Sequence, residues 1–65
     1  MMWMSTIITI AGAMSVSTAT TLEQCEIVLI QQVDRMNAGS VRDAYCQSAI
    51  SNDRVYVIKD GRTLP

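Results

Sequence analysis

Sixty-five residues hold one small domain at most, at a size where a hydrophobic core alone is marginal. Five Lys and Arg against six Asp and Glu give a formal charge of −1, scattered without a run of either sign, which excludes the basic footprint of a nucleic-acid binder. There is no histidine, so the commonest general base and the commonest metal ligand are both missing, and no residue set nominates a cofactor or metal.

The first nineteen residues carry no charge; every charged side chain lies at or after Glu23. A short apolar stretch around Ile7, Ile8, Ile10, Ala11, Ala13 and Met14 ends in the small-x-small triplet Ser17-Thr18-Ala19, the pattern of a signal peptide cut between Ala19 and Thr20. This divides the chain into a signal peptide or hydrophobic leader, 1–19, and a mini-domain, 20–65. Two other readings stay open: a retained membrane segment, and a start assigned upstream of Met4 or Met14. A stable span is disfavoured, because about eight of the first twenty residues are Ser, Thr or Gly and no Lys or Arg anchors either end. In water, moreover, Thr and Ile prefer strands to helices. A lipidated Cys25 is rejected, since Glu23 and Gln24 precede it where small residues are needed.

Thr21 followed three positions later by Gln24 is a capping box, and a helix is expected over about 22–36. At 100° per residue, Leu22, Cys25, Leu29, Val33 and Met36 form one stripe with Glu23, Gln24, Gln31, Asp34 and Arg35 mostly opposite. The run Ile27-Val28-Leu29-Ile30 also fits a buried strand. Asn37-Ala38-Gly39 ends the element, with Gly39 as a left-handed cap.

Cys25 and Cys46 both fall after the leader, and in an oxidising compartment two cysteines have one possible intramolecular partner each. From Ser40 onward the chain either starts a second helix, with Ser40 and Asp43 as a capping box, or returns extended. A helical hairpin puts the sulfurs out of register, because Cys25 lies roughly 20 Å of helix before Gly39 and Cys46 only roughly 10 Å after it. An extended return spans about 23 Å and brings Cys46 beside Cys25. Arg54 to Lys59 is the clearest strand, ended by the turn pair Asp60-Gly61. With Ser51-Asn52-Asp53 as the turn, it pairs with the segment before it, placing Cys46, Ile50, Tyr56 and Ile58 on one face. The expected fold is therefore small α+β: one helix over a β-hairpin (about 44–50 and 54–59), stapled by Cys25–Cys46, with a flexible tail, 61–65. The helical hairpin is the alternative.

No catalytic constellation emerges. Glu23 and Glu26 favour the positive end of a helix dipole; Asp53 and Asp60 have turn chemistry; Ser40, Ser48 and Ser51 lack a base. Lys59 reads as an edge-strand guard. Cys25 near a helix N-terminus is a candidate reactive thiol, but a partner twenty-one positions away fits a structural bridge better than redox chemistry. Tyr45 and Tyr56 are the aromatic anchors left for an interface.

A short leader, then Thr21-Leu22-Glu23-Gln24-Cys25 opening a helix, then a lone Cys46 before a valine-rich strand, resembles the plan of small exported proteins encoded by tailed bacteriophages. The resemblance implies secretion or a periplasmic location. The expected function is a non-enzymatic, disulfide-stabilised accessory protein that meets an unidentified protein partner in the envelope or extracellular space, with no nucleic acid. A membrane enters only if the leader is retained, as in a lysis or toxin factor; a third reading is a small assembly subunit, whose leader is ordered against neighbouring chains.

Overall fold

In the computed structural model, which describes residues 2–36 and 38–63, the chain forms β1 (Trp3–Thr9), β2 (Met14–Ala19), α1 (Leu22–Arg35), a 3₁₀ turn (Ala38–Ser40), β3 (Val41–Ser48), β4 (Arg54–Lys59) and β5 (Arg62–Thr63). The strands make one antiparallel sheet in the order β2-β1-β3-β4-β5. The fold is small α+β with one helix; the helical hairpin is not formed. Since β2 and β3 both run antiparallel to β1, they are parallel to each other with β1 between them. A parallel pair needs a crossover, and α1 is that crossover.

The segment that reads as a leader in the sequence is, in the folded chain, β1 and β2. Its Thr, Ile, Ser and Val content suits strands. Thr9 donates its backbone N–H to Ala13 O (2.9 Å) and accepts from Gly12 N–H (3.0 Å). Gly12 adopts φ 93°, the left-handed step that lets a three-residue loop close a hairpin. Ile7 is 1% exposed and sits in the core.

α1 starts where the capping box placed it. Thr21 Oγ1 accepts from Gln24 N–H (3.1 Å), while the Gln24 side chain takes its hydrogen bond from Thr20 Oγ1 (2.7 Å). Cys25, Leu29 and Val33 are its buried stripe. The helix ends differently from expectation. Met36, in extended conformation, donates its N–H to the carbonyls of Gln32 and Val33, and Gly39 falls in the 3₁₀ turn. Asn37 lies outside the described residues.

The helix lies over β1, β3 and β2. Beneath it, Ile7, Ala44, Cys46, Val41 and Ile58 meet Leu29, Cys25 and Val33, with Trp3, Ala19, Leu22, Met36 and Val57 at the margin. Small residues, Ser5 and Ala44, are buried in the two strands under α1 and allow it to approach closely. Cys25 and Cys46 are bridged, with Cα atoms 6.2 Å apart, so the extended return is correct.

Two registers differ from expectation. β3 pairs Tyr45 with Tyr56, Cys46 with Val55 and Ala44 with Ile58, leaving Val57 as an extra residue in β4. This bulge turns Ile58 inward while Tyr56 stays on the opposite face, so Cys46, Tyr56 and Ile58 do not share a face. The strand also stops at Ser48, whose hydroxyl accepts from the Ile50 and Ser51 N–H groups, and Ile50 is left 74% exposed in the loop. In the tail, Arg62 and Thr63 pair with Lys59 and Ile58 around Asp60 (φ 53°) and Gly61 (φ 81°), the two positive φ angles of a type I′ turn. Leu64 and Pro65 lie outside the described residues.

Candidate functional site

Both cysteines are fully buried and bonded to each other, so neither offers a thiol for chemistry. Ala19 ends β2 packed at the margin of the core, and Thr20 follows as an exposed residue before the cap of α1. Glu23 is exposed in the first helical turn, Glu26 half-buried. Ser48, Ser51, Asp53 and Asp43 have local partners. Ser51 Oγ donates to Asp53 (3.1 Å), and Ser48 holds the loop after β3. Asp43, instead of capping a second helix, accepts from the Asp60 N–H (3.1 Å) and pairs with Arg42 (3.0 Å). Those contacts, first the Asp60 N–H and then the Arg42 side chain, hold the Asp43 carboxyl below its ordinary pKa. Among the described residues no group of three His, Cys, Asp or Glu side chains converges as a metal site.

What the strands do assemble is an uncovered sheet face, opposite α1. Alternation along β1 sends Ser5 and Ile7 under the helix and Met4, Thr6 and Ile8 to the other side. Their partners Thr18, Val16 and Met14 on β2, and Gln47, Tyr45 and Asp43 on β3, share that side. The face has two halves. On β1–β2 it is aliphatic and polar-neutral, with Met14 65% and Val16 54% exposed. On β3–β4 it is aromatic and cationic. The rings of Tyr45 and Tyr56 lie 5.1 Å apart, tilted by 45°; Arg54 stacks 4.7 Å from the centre of Tyr45 and Lys59 lies 5.2 Å from that of Tyr56. Arg54 also donates to the Tyr56 hydroxyl (3.4 Å), which, with the nearby Tyr45, keeps its guanidinium pKa above the ordinary value.

Tyr45 is buried beneath Arg54, so what the cluster presents outward is Arg54, Lys59 and the half-buried Tyr56 ring, a combination suited to an acidic or aromatic group of another molecule. Sequence reasoning named Tyr45, Tyr56 and Lys59 separately. It missed Arg54, because the signal was the one-residue bulge that aligns the two tyrosines, and a bulge has no clear mark in the chain. No helix among the described residues is long and apolar enough to cross a membrane. No family model matches the chain, and no curated protein and no solved structure is significantly similar to it.

Proposed function

We propose that this is a small exported accessory protein, oxidised in its working state and without enzymatic activity, that retains residues 1–19 and binds an envelope or extracellular protein. The observation that carries the reading is the Cys25–Cys46 bridge, sealed inside the core between α1 and β3. Such a bridge belongs to an oxidising compartment. The bacteriophage origin implied by the resemblance is compatible with that compartment and rests on the layout of the chain alone.

The sheet supports retention of the first nineteen residues. Removing them takes away β1, which pairs on both sides, and with it Ile7, one of the few fully buried large side chains. The same argument weighs against a membrane-inserted leader, since insertion pulls β1 away from β3 and opens the core. The contact surface in this reading is the Tyr45–Tyr56 cluster, and its two cations, Arg54 and Lys59, call for a partner that presents an acidic side chain.

Mass spectrometry of the native material, fractionated without reductant, tests this. We expect a species outside the cytosol, two hydrogens lighter than the dithiol, that still contains the residues before Thr20. A reduced chain confined to the cytosol overturns the reading of compartment, and an extracytosolic species beginning at Thr20 overturns retention.

A further inference from the structure

The two edges of the sheet are unlike. One is β5, two residues long, next to β4 with Lys59 and Arg54. Short length and charge are the usual means by which an edge is kept from pairing with another chain. The other edge is β2, six residues with the sequence Met-Ser-Val-Ser-Thr-Ala, without a charge, a proline or a bulge.

The bonding pattern of β2 can be read from its hairpin. Thr9 and Ala13 are hydrogen-bonded, so Ile7–Ser15, Ser5–Ser17 and Trp3–Ala19 are the bonded pairs of the ladder, while Ile8–Met14, Thr6–Val16 and Met4–Thr18 alternate with them. The N–H and C=O groups of Met14, Val16 and Thr18 therefore point away from β1, along a free edge.

We propose that β2 pairs antiparallel with β2 of a second copy of this chain, about a twofold axis through Val16, to give a dimer with one continuous sheet. Three features fit a second copy in particular. Centring the pair on Val16 sets Val16 opposite Val16, Met14 opposite Thr18 and Ser15 opposite Ser17, which uses both outward backbone groups of Met14, Val16 and Thr18. It also matches faces: Met14, Val16 and Thr18 of both copies stay on the uncovered side, and both helices stay on the other, with the two β1 strands about 14 Å apart at the usual strand spacing. Finally, neither strand carries charge, so twofold pairing sets no like charges against each other. Because the opposite edge is guarded, the association closes at two copies and does not run on as a filament. Met14 and Val16 gain apolar neighbours across the axis; the dimer goes beyond the envelope or extracellular partner and stands without it.

Sedimentation of the oxidised full chain, with hydrogen exchange, tests the dimer. The expected results are a concentration-dependent dimer and slowed exchange of the Met14, Val16 and Thr18 amides that fades on dilution. Val16→Lys places two ammonium groups on the axis and should raise the dimer Kd at least about tenfold. Val16→Pro removes an outward N–H that the monomer does not use, and should do the same while the β1–β2 ladder stays intact. Val16→Thr keeps the strand and the dimer. A monomer at about 1 mM, species that grow beyond two copies, a dimer indifferent to Val16→Lys and Val16→Pro, or exchange at these amides that does not change with concentration each overturns the proposal; the last, read on the unsubstituted chain, does so even if a variant misfolds.

Discussion

The β1–β2 hairpin and the part of the chain after it are held by different means. After Thr20 come all the charges, the disulfide, the tyrosine–cation cluster and the Asp43 ion pair. The hairpin is held by its own ladder and that of β1 with β3, by the hydroxyl contacts of Thr9 and Ser5 and the Gln32–Ser17 hydrogen bond, and by the burial of Ile7 with Trp3 and Ala19 at the core margin. Yet the weakly marked half supplies the strand that joins the sheet together, since β1 is bonded to both β2 and β3. In the folded chain, residues on both sides of the sharp change in composition at residue 20 share one core. β1 lacks charge because it is interior; β2 lacks charge although it is an edge, and that is the part with a consequence for association.

The severest way to break this comparison is to remove the hairpin. A chain beginning at Thr20 should lose cooperative unfolding and its near-ultraviolet tyrosine signal even with the disulfide intact, because α1 and β3 are left with Leu29, Val41 and Cys46 open to water on one side. A cooperative melt in that chain would show the hairpin to be an ornament on a domain that starts at α1. Next in size, Ile7→Ala in the full chain should cost roughly 3 to 4 kcal/mol in urea unfolding, since the cavity opens beneath the helix where neither β3 nor α1 can close it. A cost below about 1 kcal/mol would mean that β1 packs loosely. Replacing both cysteines, Cys25→Ala with Cys46→Ala, should cost about 3 kcal/mol through the freed loop, and should leave the hairpin's amide exchange pattern in place near the native limit. If the cysteine pair proves worth much more than Ile7, the staple outweighs the sheet and β1 is no longer the element on which the core depends most.

How far the fold was legible follows the same division. α1 could be read nearly residue for residue, because a capping Thr, a Gln three positions on and a 3.6-residue apolar period are independent signals that agree. The extended return to Cys46 could be read because a covalent tie fixes a distance. The Asp60-Gly61 turn was visible, but two residues of β5 have no period to detect. The hairpin had strand formers, Ile7, Ile8, Thr9, Val16 and Thr18, around Gly12, and these lost to a competing pattern: a charge-free, moderately apolar start that also fits a targeting signal. The tyrosine–cation face was the least legible. It depends on Val57 being skipped in the pairing of β3 with β4, which sets Tyr56 against Tyr45 and brings Arg54 over the ring.

The smallest expected effect concerns the corner where the charged half is tied together. Asp43 sits on β3 and accepts the N–H of Asp60 in the turn beyond β4, so its carboxylate links β3 to the β4–β5 turn, a role for which the hairpin has no charged equivalent. Its folded pKa lies below the ordinary carboxylate value, chiefly because of that N–H and then the Arg42 guanidinium. The stability it contributes is therefore present above the unfolded pKa, near 4, and is lost as pH falls through the lower folded value. Asp43→Asn removes the titrating charge, and should lower the thermal midpoint slightly near neutrality and hardly at all below the folded pKa, so that the acid limb of the melting curve is flattened. The exchange of the Asp60 amide should rise in the same variant, whereas the amides of β1 and β2 should not respond, because the hairpin has no charge for Asp43 to act on. An acid limb that Asp43→Asn leaves unchanged would assign the acid sensitivity to another carboxylate and remove this corner from the contrast between the two halves.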